Sequence, residues 1–421
     1  MLDLTLIREK PDMIKKAVAD RNTEAPIDRI VALDERRREV LTEVEALRAE
    51  RNTVSKEIAR MKDQEARQAK IERMRSVGDT IKELEAELGA VEADLQEALL
   101  WVPNPPHESV PLGSDESANV LVRQEGEPCA FEFEPIPHWD LGPALGIIDF
   151  ERGVRMSGTR FYILLGNGAR LQRALIQWML DLHVAQGYTE VQPPYMVRRE
   201  MMVAAGQLPK YKDNIYHDVE DDFWFIGTAE IPLTNVHREE ILAADNLPLN
   251  YVAYSPCFRR EKMSAGRDVR GMKRGHQFDK VEMYKLTTPE TSYDEMEKML
   301  ADAEAVCRGL GLAYRILELC TGDIGFHAAK TYDIEAWAPG VEEWLEVSSV
   351  SNATDFQARR ASIRYRPEPG ARPQFVHTLN GSGLALPRTM IAVIENYQQR
   401  DGSVVVPEVL RPYMGGVDVI R

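Results

Sequence analysis

Cysteine is scarce in this chain: Cys129, Cys257, Cys307 and Cys320 are scattered over 421 residues without a Cys-x-x-Cys pair. That spacing argues against a disulfide framework and a structural zinc site, and predicts reduced core thiols. Long apolar runs are lacking too. None approaches the roughly twenty residues that a membrane span needs, and the N-terminus MLDLTLIREK carries acidic residues where a signal peptide would be basic. A cytoplasmic protein with no membrane partner is expected. Neither glycine loop of the commonest nucleotide folds occurs, neither GxxxxGKS/T nor a strand-GxGxxG-helix unit. No Ser-His-Asp or Cys-His arrangement suggests a covalent enzyme intermediate. Positive charge is in short supply, with a formal net charge of −16. Such a balance ordinarily speaks against a nucleic-acid partner, because phosphate neutralisation supplies most of that affinity. Local concentrations of basic residues can override the average, and the chain has two.

The length implies two or three units. From about Asp28 to Leu100 there is no proline, and Glu, Arg, Ala and Leu dominate. This is helix composition. Ile30, Leu33, Val40, Val44, Leu47, Val54, Ile58 and Met61 follow a three-then-four spacing, with Arg37 and Arg51 in core register. A second register runs through Met74, Val77, Ile81, Leu84, Leu88, Val91, Leu95 and Ala98. Two heptad helices broken near Lys62 to Arg67 predict an antiparallel coiled-coil hairpin, each arm reaching roughly 50 Å at ~1.5 Å per residue. Charge is polarised along it. Between Arg48 and Arg75 stand nine Lys or Arg against five Asp or Glu, while the rest of Arg29 to Leu99 has five against twelve. A dimer seam or spacer gives no reason for a basic tip and an acidic base. A phosphate-reading probe does, with Arg48, Arg51, Lys56, Arg60, Lys62, Arg67, Lys70, Arg73 and Arg75 as its candidate contacts. The run VPNPPHESVPLGSDES after Trp101 then reads as a linker, with a boundary near residue 103.

The second basic concentration is Phe258 to Glu282, FRREKMSAGRDVRGMKRGHQFDKVE. Tyr251 to Phe258 reads as a strand, Ser264 to Gly271 as a loop, and Gln277 to Leu286 as the returning strand. Alternation then puts Arg259, Glu261, Phe278 and Glu282 on one sheet face. Arginine forks, an aromatic face and carboxylates suit a nucleoside triphosphate.

At these residues the chain resembles the second signature motif of class II aminoacyl-tRNA synthetases, and its wording is most similar to the seryl-tRNA synthetases of bacterial type. Two further segments extend the resemblance. Leu171, Ala174, Leu175, Trp178, Met179, Leu182 and Ala185 form one helix face that stops at Gly187, before a strand and Pro193-Pro194. That resembles motif 1 (about 170–194), which builds the dimer interface of these enzymes. Leu379-Asn-Gly-Ser-Gly leads into a helix with Arg388 in its opening turns, resembling motif 3 (about 379–397). Pro387, where many class II sequences have glycine, is compatible with an early helix position.

The resemblance implies an α+β fold: an N-terminal tRNA-binding domain (1–102) with a long coiled-coil hairpin, a linker (103–120), and a catalytic domain (121–421) built on a mostly antiparallel sheet flanked by helices, with motif 2 at about 251–286. It implies a homodimeric serine-tRNA ligase that uses ATP and Mg²⁺ to join L-serine to tRNA(Ser), and to tRNA(Sec) where present, with the hairpin on the long variable arm. Arg259 and Arg388 would be catalytic. Arg259, Arg260, Glu261, Arg274, Gly275, Phe278, Glu346, Val347, Ser348, Ser349 and Arg388 would bind ATP, and Glu346 with Ser349 would hold Mg²⁺. Thr228, Ala229, Glu230, Arg259, Glu282, Asn380 and Ser382 would bind serine, although Thr228 and Glu230 also read as an ordinary helix cap. Plain alternation puts Glu346 and Ser348 on one strand face and Val347 and Ser349 on the other unless a bulge intervenes. His276 reads as structural support, and the loop from Lys262 to Arg274 as free to close over ATP or the tRNA end. Two other functions stay open: a serine-activating ligase charging a carrier protein, and a catalytically silent interaction protein.

Overall fold

A computed structural model describes residues 1–262 and 270–421. The expected loop from Lys262 to Arg274 lies largely outside the described residues. The chain divides into two compact units, one of residues 2–19 and 23–103, the other of residues 1, 20–22 and 104–421.

In the smaller unit, helices α1 (Ile27–Ile58) and α2 (Gln64–Leu99) pack along their length. Cross-helix pairs Arg37–Glu92, Arg48–Glu85, Arg73–Glu50 and Lys70–Glu57 run in opposite sequence directions, so the hairpin is antiparallel. Its seam follows both predicted registers: Ile30, Val40 and Val44 are buried against Met74, Ile81, Leu95 and Ala98. Each fully buried Ile or Val side chain contributes about 1.5–3 kcal/mol. The break falls at 59–63, slightly ahead of the expected position, because the Asp63 carboxylate accepts from the N–H groups of Glu65 (3.0 Å) and Ala66 (3.3 Å) and starts α2 at Gln64. One buried charge lies beside the register rather than in it. Asp34 is 1% exposed and is compensated by Arg8 at 3.5 Å and Arg38 at 3.2 Å.

The larger unit is organised by strands β1 (Val120–Glu125), β2 (Thr189–Glu190), β3 (Leu249–Phe258), β4 (Gln277–Thr287), β5 (Tyr314–Glu318), β6 (Lys330–Ala338), β7 (Glu343–Thr354) and β8 (His377–Ala385). They form one sheet in the order β1-β5-β6-β7-β8-β4-β3-β2, antiparallel except where β2 runs parallel to β3. Alternation decides what each face does. Val281, Met283, Val350, Leu379, Ile334 and Ile316 face a core with Leu171, Leu175 and Met179 of α3 (Asn167–Ala185), Met296 and Met299 of α4 (Ser292–Gly309), and Met390 and Ile394 of α5 (Leu386–Asn396). Among the intervening residues, Lys280, Asp333, Glu335, Ser349, Ser351 and Asn380 are polar and line a cavity. On α3 the buried stripe ends differently from expectation: Ala185 is exposed, and His183 turns inward to bond the Gly383 carbonyl through Nε2 at 2.8 Å.

Cys257, Cys307 and Cys320 are buried free thiols, whereas Cys129 is exposed and not in the core. Among the described residues no helix is long and apolar enough to cross a membrane.

Candidate active site

The polar sheet face opens into a cavity of about 650 Å³. Its lining includes Thr228, Glu230, Arg259, Glu261, Arg274, Gly275, Phe278, Glu346, Ser349, Asn380, Ser382 and Arg388, drawn from four separate stretches of sequence.

Phe278, Lys280 and Glu282 alternate on β4 and share its cavity side. Arg259 and Glu261 are placed by other means than the predicted alternation. The β3–β4 ladder closes at Phe258 opposite Gln277; Arg259 and Glu261 follow the strand end, and Glu261 has φ +49°. Arg259 is fixed at both backbone atoms by His276: its N–H donates to the His276 carbonyl (2.9 Å), and its carbonyl accepts from His276 Nδ1 (3.1 Å). Its Nε donates to the Gly227 carbonyl at 3.1 Å, and its guanidinium lies 5.1 Å from the Phe278 ring centre. That contact is worth about 0.5–1 kcal/mol and keeps the fork aimed along the ring. Arg274 approaches Glu261 at 3.7 Å.

At the other end Thr228 does two things. Its hydroxyl accepts from the Glu230 N–H (3.2 Å), opening the short helix Glu230–Asn235, and donates to Glu282 Oε2 (3.2 Å). Glu282 is wholly buried beneath the lining, with the Lys280 ammonium against Oε2 and Asn380 Nδ2 at 3.5 Å from Oε1. Glu230 accepts from Gln357 Nε2 at 2.5 Å, and His327 Nε2 lies 3.3 Å from the same oxygen.

On β7 a bulge does intervene. Ser348 pairs with Ile334 while Glu346 pairs with Glu335, leaving Val347 as the extra residue. The phase change lets both Glu346 and Ser349 line the cavity, with Val347 in the core and the Ser348 hydroxyl donating to the Ser382 carbonyl at 2.6 Å. Arg388, third residue of α5, donates through NH1 to the Glu346 carbonyl (2.8 Å) and meets its Oε2 at 3.0 Å. The helix N-terminus adds positive potential at the same place.

Five candidate residues lie outside the lining. Arg260 is exposed over the Tyr216 ring at 5.8 Å; Ala229, Val347, Ser348 and Glu282 are buried behind it. Several lining residues were not anticipated: Lys273, Lys280, His327, Asp333 and Glu335. Lys280 was available from its alternation with Phe278 and Glu282. His327 had no local signal.

For a divalent ion the donor set is suitable in kind. Burial, then the neighbouring Glu346, push the Asp333 carboxyl well above its usual range, and burial also raises Glu335. Asp333 Oδ1 is buried without a hydrogen-bond partner. Among the described residues no three His, Cys, Asp or Glu side chains are grouped to hold a metal by themselves. The carboxylate and hydroxyl oxygens of Glu346 and Ser349 therefore fit an ion that brings other oxygen ligands with it.

Residues 211–397 match the family model of the tRNA synthetase class II core domain (G, H, P, S and T), and residues 1–106 match the seryl-tRNA synthetase N-terminal domain. A serine-tRNA ligase of Roseiflexus sp. (strain RS-1) is 66% identical over 422 residues, covering 100% of both chains. Seryl-tRNA synthetase from Pyrococcus horikoshii, solved in complex with ATP, superposes with a TM-score of 0.94 at 40% identity, covering 100% of this chain and 99% of that one. The cytoplasmic serine-tRNA ligase of Naegleria fowleri, solved with AMP, gives 0.88 at 31% identity with the same coverage. The chain belongs to the seryl-tRNA synthetase family, the ATP-dependent serine-tRNA ligases of class II.

Proposed function

We propose that this cavity activates L-serine with ATP and passes the seryl group to the 3′ end of tRNA(Ser), and to tRNA(Sec) where present. The observation that carries the reading is the convergence of Arg259, Phe278 and Arg388 with Thr228 and Asn380 in one cavity over the polar sheet face. Phe278 and Glu261 take the adenine, Arg259 the α-phosphate or the serine carboxylate, and Arg388 with Arg274 the outer phosphates. Glu282, Thr228, Glu230, Asn380 and Ser382 take the amino acid. Lys280 neutralises Glu282 until an α-ammonium replaces it.

The chemistry needs alignment and charge neutralisation more than an enzyme nucleophile. A serine carboxylate oxygen attacks the α-phosphorus, the bond to the bridging oxygen breaks, and pyrophosphate leaves with that electron pair. Arg259 and Arg388 meet the negative charge that develops, each guanidinium hydrogen bond to a charged oxygen being worth about 1.5–3 kcal/mol. A terminal ribose hydroxyl of tRNA then attacks the seryl carbonyl carbon and AMP leaves. Mg²⁺ bound with ATP at Glu346 and Ser349 would supply further neutralisation of phosphate charge. Polar partners around the serine hydroxyl disfavour alanine, which would leave them unpaired.

The hairpin's basic end serves the tRNA. Arg48, Lys70 and Arg73 are engaged with Glu85, Glu57 and Glu50. Arg51, Lys56, Arg60, Lys62, Arg67 and Arg75 are in no ion pair among the described residues and are available to phosphates. The working form is a homodimer in the cytoplasm.

A serine-activating ligase for a carrier protein has no use for that basic end, and a silent interaction protein has no reason to keep these side chains together. Incubation with ATP, Mg²⁺, labelled serine and bulk tRNA, followed by pyrophosphate exchange and acid-precipitable serine, separates the three. Both signals support the reading. Exchange without charged tRNA favours the carrier ligase, and neither signal refutes both enzymes. Light scattering on the purified protein tests the dimer.

A further inference from the structure

We propose that His138 and Glu395 form a buried junction that positions the basic segment 272–275 at the nucleotide end of the cavity; the inference rests on the ATP reading above. Glu395 lies on α5, seven residues beyond Arg388, and is wholly buried. Its carboxylate collects four donors. Oε1 accepts from the His138 N–H and from His138 Nδ1, both at 2.8 Å. Oε2 accepts from the N–H groups of Gly340 (2.9 Å) and Val341 (3.2 Å), in the turn between β6 and β7. His138, 1% exposed, accepts the Met272 N–H at Nε2 (3.2 Å). A backbone N–H can only donate, so Nε2 keeps its lone pair and Nδ1 carries the proton. The ring is thereby fixed as one neutral tautomer bridging α5 and the chain returning towards β4.

The neighbouring residues seat that chain closely. Gly271 has φ +75°, and a Cβ there would stand 2.1 Å from His138 Nε2, so glycine is required on both conformational and steric grounds. Arg270 lies over the Trp139 ring at 4.8 Å and reaches Asp140 Oδ1 at 3.1 Å. Immediately after Met272, Lys273, Arg274 and Gly275 enter the cavity lining, Lys273 pairing with Glu343 on β7. Three pieces of the nucleotide end are therefore tied to one carboxylate: the helix of Arg388 carries it, the hairpin of Glu346 donates to it, and the segment of Arg274 reaches it through His138. His138 does not line the cavity, so it acts through Met272 as a positioning residue. The amino-acid end, with Thr228 and Glu230 on another element, lies outside this junction.

Two near-isosteric variants separate the two bonds of the ring. His138→Asn retains a donor towards Glu395 and has no atom at the Nε2 position; His138→Gln restores an acceptor near it. Pyrophosphate exchange should show H138N with ATP KM raised about tenfold, the size expected for one buried hydrogen bond. The serine KM and the unfolding temperature should stay near wild type, and H138Q should recover most of the loss. An H138N enzyme with wild-type ATP parameters overturns the inference, as does a parallel loss for ATP, serine and unfolding temperature, which marks a merely structural histidine. If H138N fails to fold, Gly271→Ala presses on the same ring from the other side, and unchanged ATP KM there is equally decisive against it. Wild-type protein without any exchange sinks the ATP reading, and this inference with it.

Discussion

Lys280 and Glu282 form a buried ion pair whose energetics can be worked from the structure. The Glu282 side chain is 0% exposed and that of Lys280 9%, so the carboxylate is cut off from water and the ammonium meets it only at the cavity wall. Glu282→Gln leaves the ammonium without its counter-charge in a desolvated site, a loss of about 3–5 kcal/mol for breaking such a pair. Lys280→Met strands the carboxylate instead. Glu282 then keeps Thr228 at 3.2 Å and Asn380 at 3.5 Å, which puts its cost towards about 3 kcal/mol, the lower end of that range. The double variant buries no lone charge and should cost no more than the milder single one. Urea unfolding of the four proteins, followed by tryptophan fluorescence, gives the cycle, and the coupling expected is about 3 kcal/mol or more. Additivity of the single effects within about 0.5 kcal/mol would refute the pairing as drawn. Saturating serine should stabilise Lys280→Met more than wild type, because its ammonium can take the vacated place beside Glu282.

Phe278→Ala should raise the ATP KM while leaving the serine KM nearly unchanged, by about 1–3 kcal/mol for a lost base-stacking face; pyrophosphate exchange reads both. Alanine at Arg51, Arg60 and Arg67 should weaken tRNA binding and flatten its salt dependence by roughly one unit of log-log slope per phosphate contact, with adenylate formation intact. Equal loss of both activities would refute the division of labour between the units. Burial pushes the His183 pKa below its usual value, so the unfolded chain binds this proton first on acidification. Stability should therefore fall as pH drops below about 6.5, and less so in His183→Gln; unfolding temperature against pH checks the sign. Gly383→Ala would set a Cβ 2.3 Å from His183 Nε2 and should destabilise by about 1–3 kcal/mol in thermal unfolding.

Periodicity is legible wherever one face is buried, so the hairpin registers and the alternation of Phe278, Lys280 and Glu282 could be read directly. The exceptions have physical causes. Asp34 is buried beside the apolar register because Arg8 and Arg38 compensate it, and Arg8 comes from outside the helix and any local pattern. Arg259 and Glu261 reach the cavity although alternation lapses at the end of β3, since His276 and Gly227 hold the arginine from other strands and loops. The bulge at Val347 is one extra residue in a ladder, visible only once the partner strand is known. Asp333 comes to the cavity through sheet order and His327 from the turn just ahead of β6, neither of which residue spacing encodes.

That sheet order also bears on the synthesis of the protein. β8 is late in the chain, yet it is laid down between β7 and β4, pairing Gly381 with Val350 on one side and Met283 on the other. Until residues 377–385 have left the ribosome, β4 and β7 each present an open edge where a strand belongs. Such edges invite mispairing, and contacts across about a hundred residues of sequence close slowly. A nascent chain stopped before residue 377 should therefore be protease-sensitive and in need of a chaperone, and should harden abruptly once the central strand arrives.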